Sequence, residues 1–170
     1  MAILPLVKYP DPILRKKAKT VKSINAQVKK LIGDMIETLK NAKGLGLAAN
    51  QVGVSQKILV ISAPDENKNS VELVLINPKI VTSQGKIAED EGCLSFPGLW
   101  VKVKRAKKVK VKAVDERGQV IEIDGENLLS RVLQHEIDHL EGVQFIDRLP
   151  IFTKIKAKSE IKRRIKAGTW

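Results

Sequence analysis

The chain is 170 residues long with a formal charge of +12, one cysteine and two histidines. A lone Cys forms no internal disulfide, and no apolar run approaches the roughly 20 residues that span a bilayer, so a disulfide-stapled or membrane-embedded protein is excluded. The opening residues lack a basic leader and are interrupted by Pro5, so the expected compartment is the cytoplasm. Charge is unevenly placed. Val101 to Lys112 carries seven basic residues and no acid, and Ile151 to Trp170 carries seven against Glu160, which leaves 17 basic and 18 acidic residues elsewhere. A solvated face is the ordinary meaning of such runs, but the tail also suits a phosphate-rich partner such as RNA; nothing points to DNA.

In chain order, Ser23 to Lys43 reads as an amphipathic helix, with Ile24, Val28, Leu31, Ile32, Met35 and Leu39 on one stripe, a Ser or Asn cap before it and Gly44 after it. Gly44 to Gln51 (GLGLAANQ) follows as a loop built for close approach. Its backbone could pair with a substrate strand and the Gln51 amide could donate to an oxyanion; a phosphate cradle is disfavoured because no Lys-Ser/Thr follows. The period then changes to two. Lys57 to Ser62, Val71 to Ile76, Trp100 to Arg105, Lys107 to Val114 and Gln119 to Ile123 read as strands, and alternating Val and Lys predicts a half-exposed antiparallel sheet.

A second helix is expected from Asp124–Asn127 through Glu141, with Leu128, Leu129, Val132, Leu133, Ile137 and Leu140 at helical spacing and Gly142 as its cap. A third, basic helix is expected over Phe152 to Ala167, with Ile155, Ile161 and Ile165 as a thin apolar edge. The resulting fold class is α+β: a single domain of mainly antiparallel strands around a central helix, over residues 1–150, followed by a basic helical tail, 151–170.

Both histidines fall in His135-Glu136-Ile137-Asp138-His139. Positions i and i+4 share a helical face, so two imidazoles can meet one ion while Glu136 flanks it as a base for an attacking water. Two histidines leave such an ion one protein ligand short. Downstream the chain offers only Glu141, Asp147 and Glu160; upstream it offers Cys93, in Glu91-Gly92-Cys93-Leu94-Ser95, where Gly92 permits a sharp turn beside the thiol. A lone Cys reads equally as a small buried hydrophobe.

Taken together, GLGLAANQ at 44–51, EGCLS at 91–95 and QHEIDHL at 134–140 resemble the three-motif signature of the peptide deformylases, in the family's order. YPDPILR at 9–15 and GVQFIDR at 142–148 extend the resemblance over most of the chain to about Pro150. The resemblance implies removal of the formyl group from N-formylmethionyl ends of nascent chains. Cys93, His135 and His139 would hold one divalent ion, Fe2+ in the family's usual form, with Zn2+, Ni2+ or Co2+ as substitutes. Glu136 would act as general acid and base, with the Gln51 amide and the Leu94 backbone N–H facing the oxyanion. Gly46 would pair with the peptide, and Leu45, Leu128 and Val132 would line the methionine pocket. Glu91 and Arg105 resemble an ion pair supporting the Gln51 loop, and read equally as a surface pair. The tail is similar to C-terminal helices by which some deformylases dock on the ribosome. Two alternatives remain: an HExxH metallopeptidase cutting internal peptide bonds, and a non-catalytic basic ribosome- or RNA-binding module.

Overall fold

The computed structural model describes residues 2–64 and 70–170. Helix α1 (Ala26–Ala42) begins where the Asn25 side chain accepts a hydrogen bond from the Val28 N–H at 3.0 Å, closing one of the orphan donors of the first turn. It buries Val28, Ile32, Met35 and Leu39. It ends not on glycine but on Lys43, in left-handed conformation at φ 51°. Gly44 matters for room instead: a Cβ there would come within 2.9 Å of Leu39 Cδ1.

Seven strands follow among the described residues. β1 (Gly46–Ala48), β2 (Ile58–Pro64), β3 (Ser70–Gln84), β6 (Lys108–Val114) and β7 (Val120–Glu126) form one antiparallel sheet in the order β1-β2-β3-β6-β7. β4 (Ile87–Cys93) and β5 (Phe96–Arg105) form a separate hairpin. The expected half-exposed sheet is present. Val109, Val111 and Ala113 of β6 are buried, while Lys108, Lys110 and Lys112 stand opposite Glu126, Asp124 and Glu122 of β7. The central basic run is thus largely answered by acids on the next strand, which is the solvated-face meaning of that charge.

Four strands depart from expectation: Gly46–Ala48 is a strand instead of a loop, the pattern gives no strand at β4, and β3 and β5 start earlier or run longer than the pattern predicts. Ile87–Cys93 lacks alternation because its inward positions carry Glu91 and Cys93, and Pro78 and Pro97 sit inside β3 and β5 where ladder donors are not required.

Helix α2 (Asn127–Leu140) packs on β1, β2 and β7, with Val132, Leu133, Ile137 and Leu140 in one core with Leu59, Leu75 and Val111. Its axis is pinned by Gln134, whose side chain both accepts from Ala106 N–H (3.0 Å) and donates to Ala106 C=O (2.9 Å). Gly142 takes the left-handed conformation that stops it, φ 75°.

Helix α3 (Ile151–Lys166) buries Ala157 and Ile161 against Phe96, Phe145 and Ile146. The expected edge of Ile155, Ile161 and Ile165 is corrected: Ile161 is 1 % exposed, but Ile155 and Ile165 are 55 % and 41 % exposed. Six residues advance a helix by about 600°, so Ile155 and Ile161 point about 120° apart. No helix among the described residues is long and apolar enough to cross a membrane.

Candidate active site

Helix α2, the β4–β5 turn and the segment after α1 converge on one cleft of about 520 Å³. Spacing along α2 explains the convergence: Leu128, Val132, His135 and Glu136 lie on one helical stripe facing it. Leu45, Gly46 and Gln51 line it from the opposite side, and Cys93 and Leu94 from the hairpin. His139, 1 % exposed, lies beneath the cleft surface.

One sulfur and two nitrogens meet at the floor. Ligand atoms of Cys93, His135 and His139 all lie within 4.8 Å of one another, with Cys93 Sγ 3.2 Å from His139 Nε2, and the two Nε2 atoms 3.2 Å apart. Two imidazole nitrogens and a thiol turned inward at such distances fit a single cation accepting three lone pairs, so these residues suit a metal ion. The downstream acids do not join them. Glu141 is held by Lys17 and Lys57, Asp147 by Arg15 and Lys154, and Glu160 by Arg163 and Arg164.

The tautomer of His135 is set from behind. Its Nδ1 is 3.0 Å from Glu91 Oε2, so Nδ1–H donates to the carboxylate and Nε2 is the atom that would give its lone pair to a cation, in exchange for any proton it carries. Burial pushes the His135 pKa down, but contacts with Cys93 and Glu91 outweigh it and raise the value well above the ordinary one. His139, deeply buried with His135 and Arg105 nearby, is pushed the other way, toward the neutral imidazole. Its backbone carbonyl accepts from Asn50 Nδ2 at 2.5 Å, tying the turn after β1 to α2.

Glu91 is 6 % and Arg105 5 % exposed, so the pair is buried rather than superficial. Arg105 donates to both Glu91 oxygens (2.9 and 3.0 Å) and to Asp138 (2.5 Å), and Asp138 also accepts from Arg148 (2.6 Å). Two carboxylates and two guanidiniums thus balance. Burial alone would raise the Glu91 pKa; His135 and Arg105 pull it to about 2. The pair therefore braces α2 through His135 and Asp138. The Gln51 side chain is held by other groups: Oε1 accepts from Ala48 N–H at 2.8 Å, leaving Nε2 at 3.5 Å from Cys93 Sγ and 3.3 Å from Ser95 Oγ.

Glu136 is 4 % exposed and its Oε2 has no protein partner. Burial and the nearby Glu91 charge raise its pKa to about 7, against the opposing pull of His135 and Arg105. Its carboxylate lies against Gly46, where a Cβ would come within 2.6 Å of Oε1, which explains glycine at that position. Gly92 was expected to make a sharp turn beside the thiol; instead the missing Cβ admits the Trp100 ring, 2.9 Å from where it would stand. Arg131 and Trp100 also line the cleft and were not anticipated. Arg131, four residues before His135, was legible from helical spacing; Trp100 was not, because only the hairpin register brings it over Gly92.

The match to the family model described as Polypeptide deformylase covers residues 3–154. A peptide deformylase of Thermodesulfovibrio yellowstonii is 50 % identical over 149 residues, 88 % of this chain and 90 % of that protein. One from Acidobacterium capsulatum is 45 % identical over 170 residues, 100 % of both chains. The crystal structure of peptide deformylase from Ehrlichia chaffeensis superposes with a TM-score of 0.90 at 35 % identity, covering 99 % of this chain and 100 % of that one. By fold and by sequence over most of its length, the chain belongs to the polypeptide deformylase family of enzymes.

Proposed function

We propose that the chain hydrolyses the formyl amide of N-formylmethionyl ends of nascent polypeptides in the cytoplasm, releasing formate, with residues 1–150 as the catalytic domain and 151–170 as its basic helical extension. One observation carries the reading: Cys93, His135 and His139 turn one sulfur and two nitrogens on a common point, with the buried Glu136 carboxylate in the same cleft. We assign Fe2+ to those three ligands, with Zn2+, Ni2+ or Co2+ able to substitute, because a thiolate with two imidazoles suits all four. When bound, the ion supplies Lewis acidity that favours deprotonation of the attacking water and polarises the formyl carbonyl.

Glu136 takes the proton of the attacking water and passes it to the departing amine. A pKa near 7 equips one carboxyl to do both near neutral pH. Gln51, its Oε1 committed to Ala48, keeps Nε2 on the cleft side, where its long contacts with Cys93 Sγ and Ser95 Oγ give way to a hydrogen bond to the developing oxyanion, and the Leu94 backbone N–H is the second donor. Gly46 pairs with the extended peptide, while Leu45, Leu128 and Val132 line the pocket for the methionine side chain. Formate release from a formyl-Met tripeptide by anaerobically iron-loaded protein tests this, and Glu136→Ala is expected to lower turnover on the order of a hundredfold or more. No formate from the parent, or equal formate from the variant, overturns it.

The outward face of α3 carries exposed Lys158, Lys162 and Lys166, which suit ribosomal RNA phosphates at the site where formylated ends emerge. Replacing the three by Glu should lower cosedimentation with ribosomes; unchanged cosedimentation removes that contact. A metallopeptidase lacks support, since each downstream acid is engaged by cations away from the histidines.

A further inference from the structure

Trp100 is 69 % exposed, an uncommon state for an indole, and it lies in the wall of the cleft that holds Cys93 and Glu136. The ring is nonetheless seated. A Cβ built on Gly92 would stand 2.9, 2.9 and 3.0 Å from Cε2, Cζ2 and Cδ2, and near-equal distances to three fused-ring atoms put that point over the ring face, not at its edge. One face of the indole therefore covers the Gly92 backbone, one residue from Cys93, and the other is open. Asp90 stands opposite Lys102 in the β4–β5 ladder, and Arg131, whose Nη2 donates to the Asp90 backbone carbonyl at 2.5 Å, lines the same cleft. A flat apolar surface with one face open suits another flat apolar group.

We propose that Trp100 forms a second subsite that selects an aromatic side chain downstream of the formylated methionine; this rests on the deformylase reading above. Successive residues of an extended peptide advance about 3.3 Å each, so the first one or two residues beyond methionine are the ones within reach of a platform beside Cys93. Seating the indole on a glycine fixes its orientation in advance, so little freedom is lost when a second ring stacks on it.

The test measures kcat/KM of the iron-loaded protein on formyl-Met-Ala-Ala, formyl-Met-Phe-Ala and formyl-Met-Ala-Phe, for the parent, Trp100→Ala and Trp100→Phe. The parent should favour one Phe peptide over formyl-Met-Ala-Ala by roughly three- to tenfold, the scale of an aromatic pair. Trp100→Ala should bring that ratio to about one, chiefly through KM, and Trp100→Phe should restore part of it. A parent with no preference for either Phe peptide, or a preference equal in Trp100→Ala, overturns the subsite while leaving the deformylase reading intact. Absence of formate from all three peptides overturns both.

Discussion

Replacing Ile161 by alanine tests whether α3 belongs to the folded body. Ile161 is 1 % exposed and packs with Phe96, Phe145, Ile146 and Leu149. Truncating a buried isoleucine to alanine costs about 2–5 kcal/mol in lost transfer and residual cavity. Alanine returns about half a kcal/mol through better helix propensity, so the net loss is roughly 2–4 kcal/mol. At about 2–4 °C per kcal/mol for a domain of this size, Tm should fall by roughly 5–15 °C. Ile155 is the matched control: same residue, same helix, 55 % exposed. Ile155→Ala should stay within about 0.5 kcal/mol of the parent. Calorimetry of protein saturated with one metal gives both values, with metal concentration fixed because binding to the native state alone raises Tm. Equal shifts in the two variants would refute the docking of α3.

Gln144 is fully buried with neither side-chain oxygen nor nitrogen partnered, so Gln144→Leu should stabilise by about 1–3 kcal/mol, read as a rise in the urea midpoint; a fall would show that a buried water satisfies the amide. Burial pushes the Asp147 pKa up, but Arg15, Lys154 and the Gln144 N–H pull it from 3.8 to about 2. A depressed pKa stabilises above the unfolded value and is lost as pH falls from about 4 to about 2, so Asp147→Asn should flatten the acid limb of stability in that window. An unchanged limb would count against the pairing. Glu91→Gln removes the carboxylate that joins Arg105 to His135, and should speed metal loss to a chelator by roughly 10–100-fold, the usual effect of losing a carboxylate behind a ligating histidine. Metal loss at the parent rate would separate Glu91 from the ligand set.

The helices were legible because each carries its own evidence. α1 shows a cap, an apolar stripe and a stop within 20 residues or so, and α2 adds Gly142. β6 and β7 were legible because one face is solvated and valine and lysine alternate. β4 was not. Its inward positions hold Glu91 and Cys93, which face a polar centre instead of an apolar core, so the alternation that reveals a strand is absent where the strand serves the site. α3 was found as a helix, yet its docking residue was obscured by isoleucines on two different faces.

The ligand trio could be read because helical spacing fixes His135 relative to His139 and only one thiol exists to join them. What surrounds it could not, since it depends on pairs far apart in sequence. Glu91, Arg105, Asp138 and Arg148 come from a hairpin, a helix and the turn beyond it, and each alone reads as a surface charge. Burying Glu91, Arg105 or Asp138 alone would be costly; buried together, joined by hydrogen bonds and with the exposed Arg148 supplying the second positive charge at the rim, they offset much of that cost while holding Nδ1 of His135 as the donor. The same logic explains Gly46 and Gly92: nothing local demands either glycine, and each is understood only once Glu136 or Trp100 is found in the space a methyl group would fill. Spacing within one helix therefore predicts which side chains come together, and the fold decides how firmly they are held.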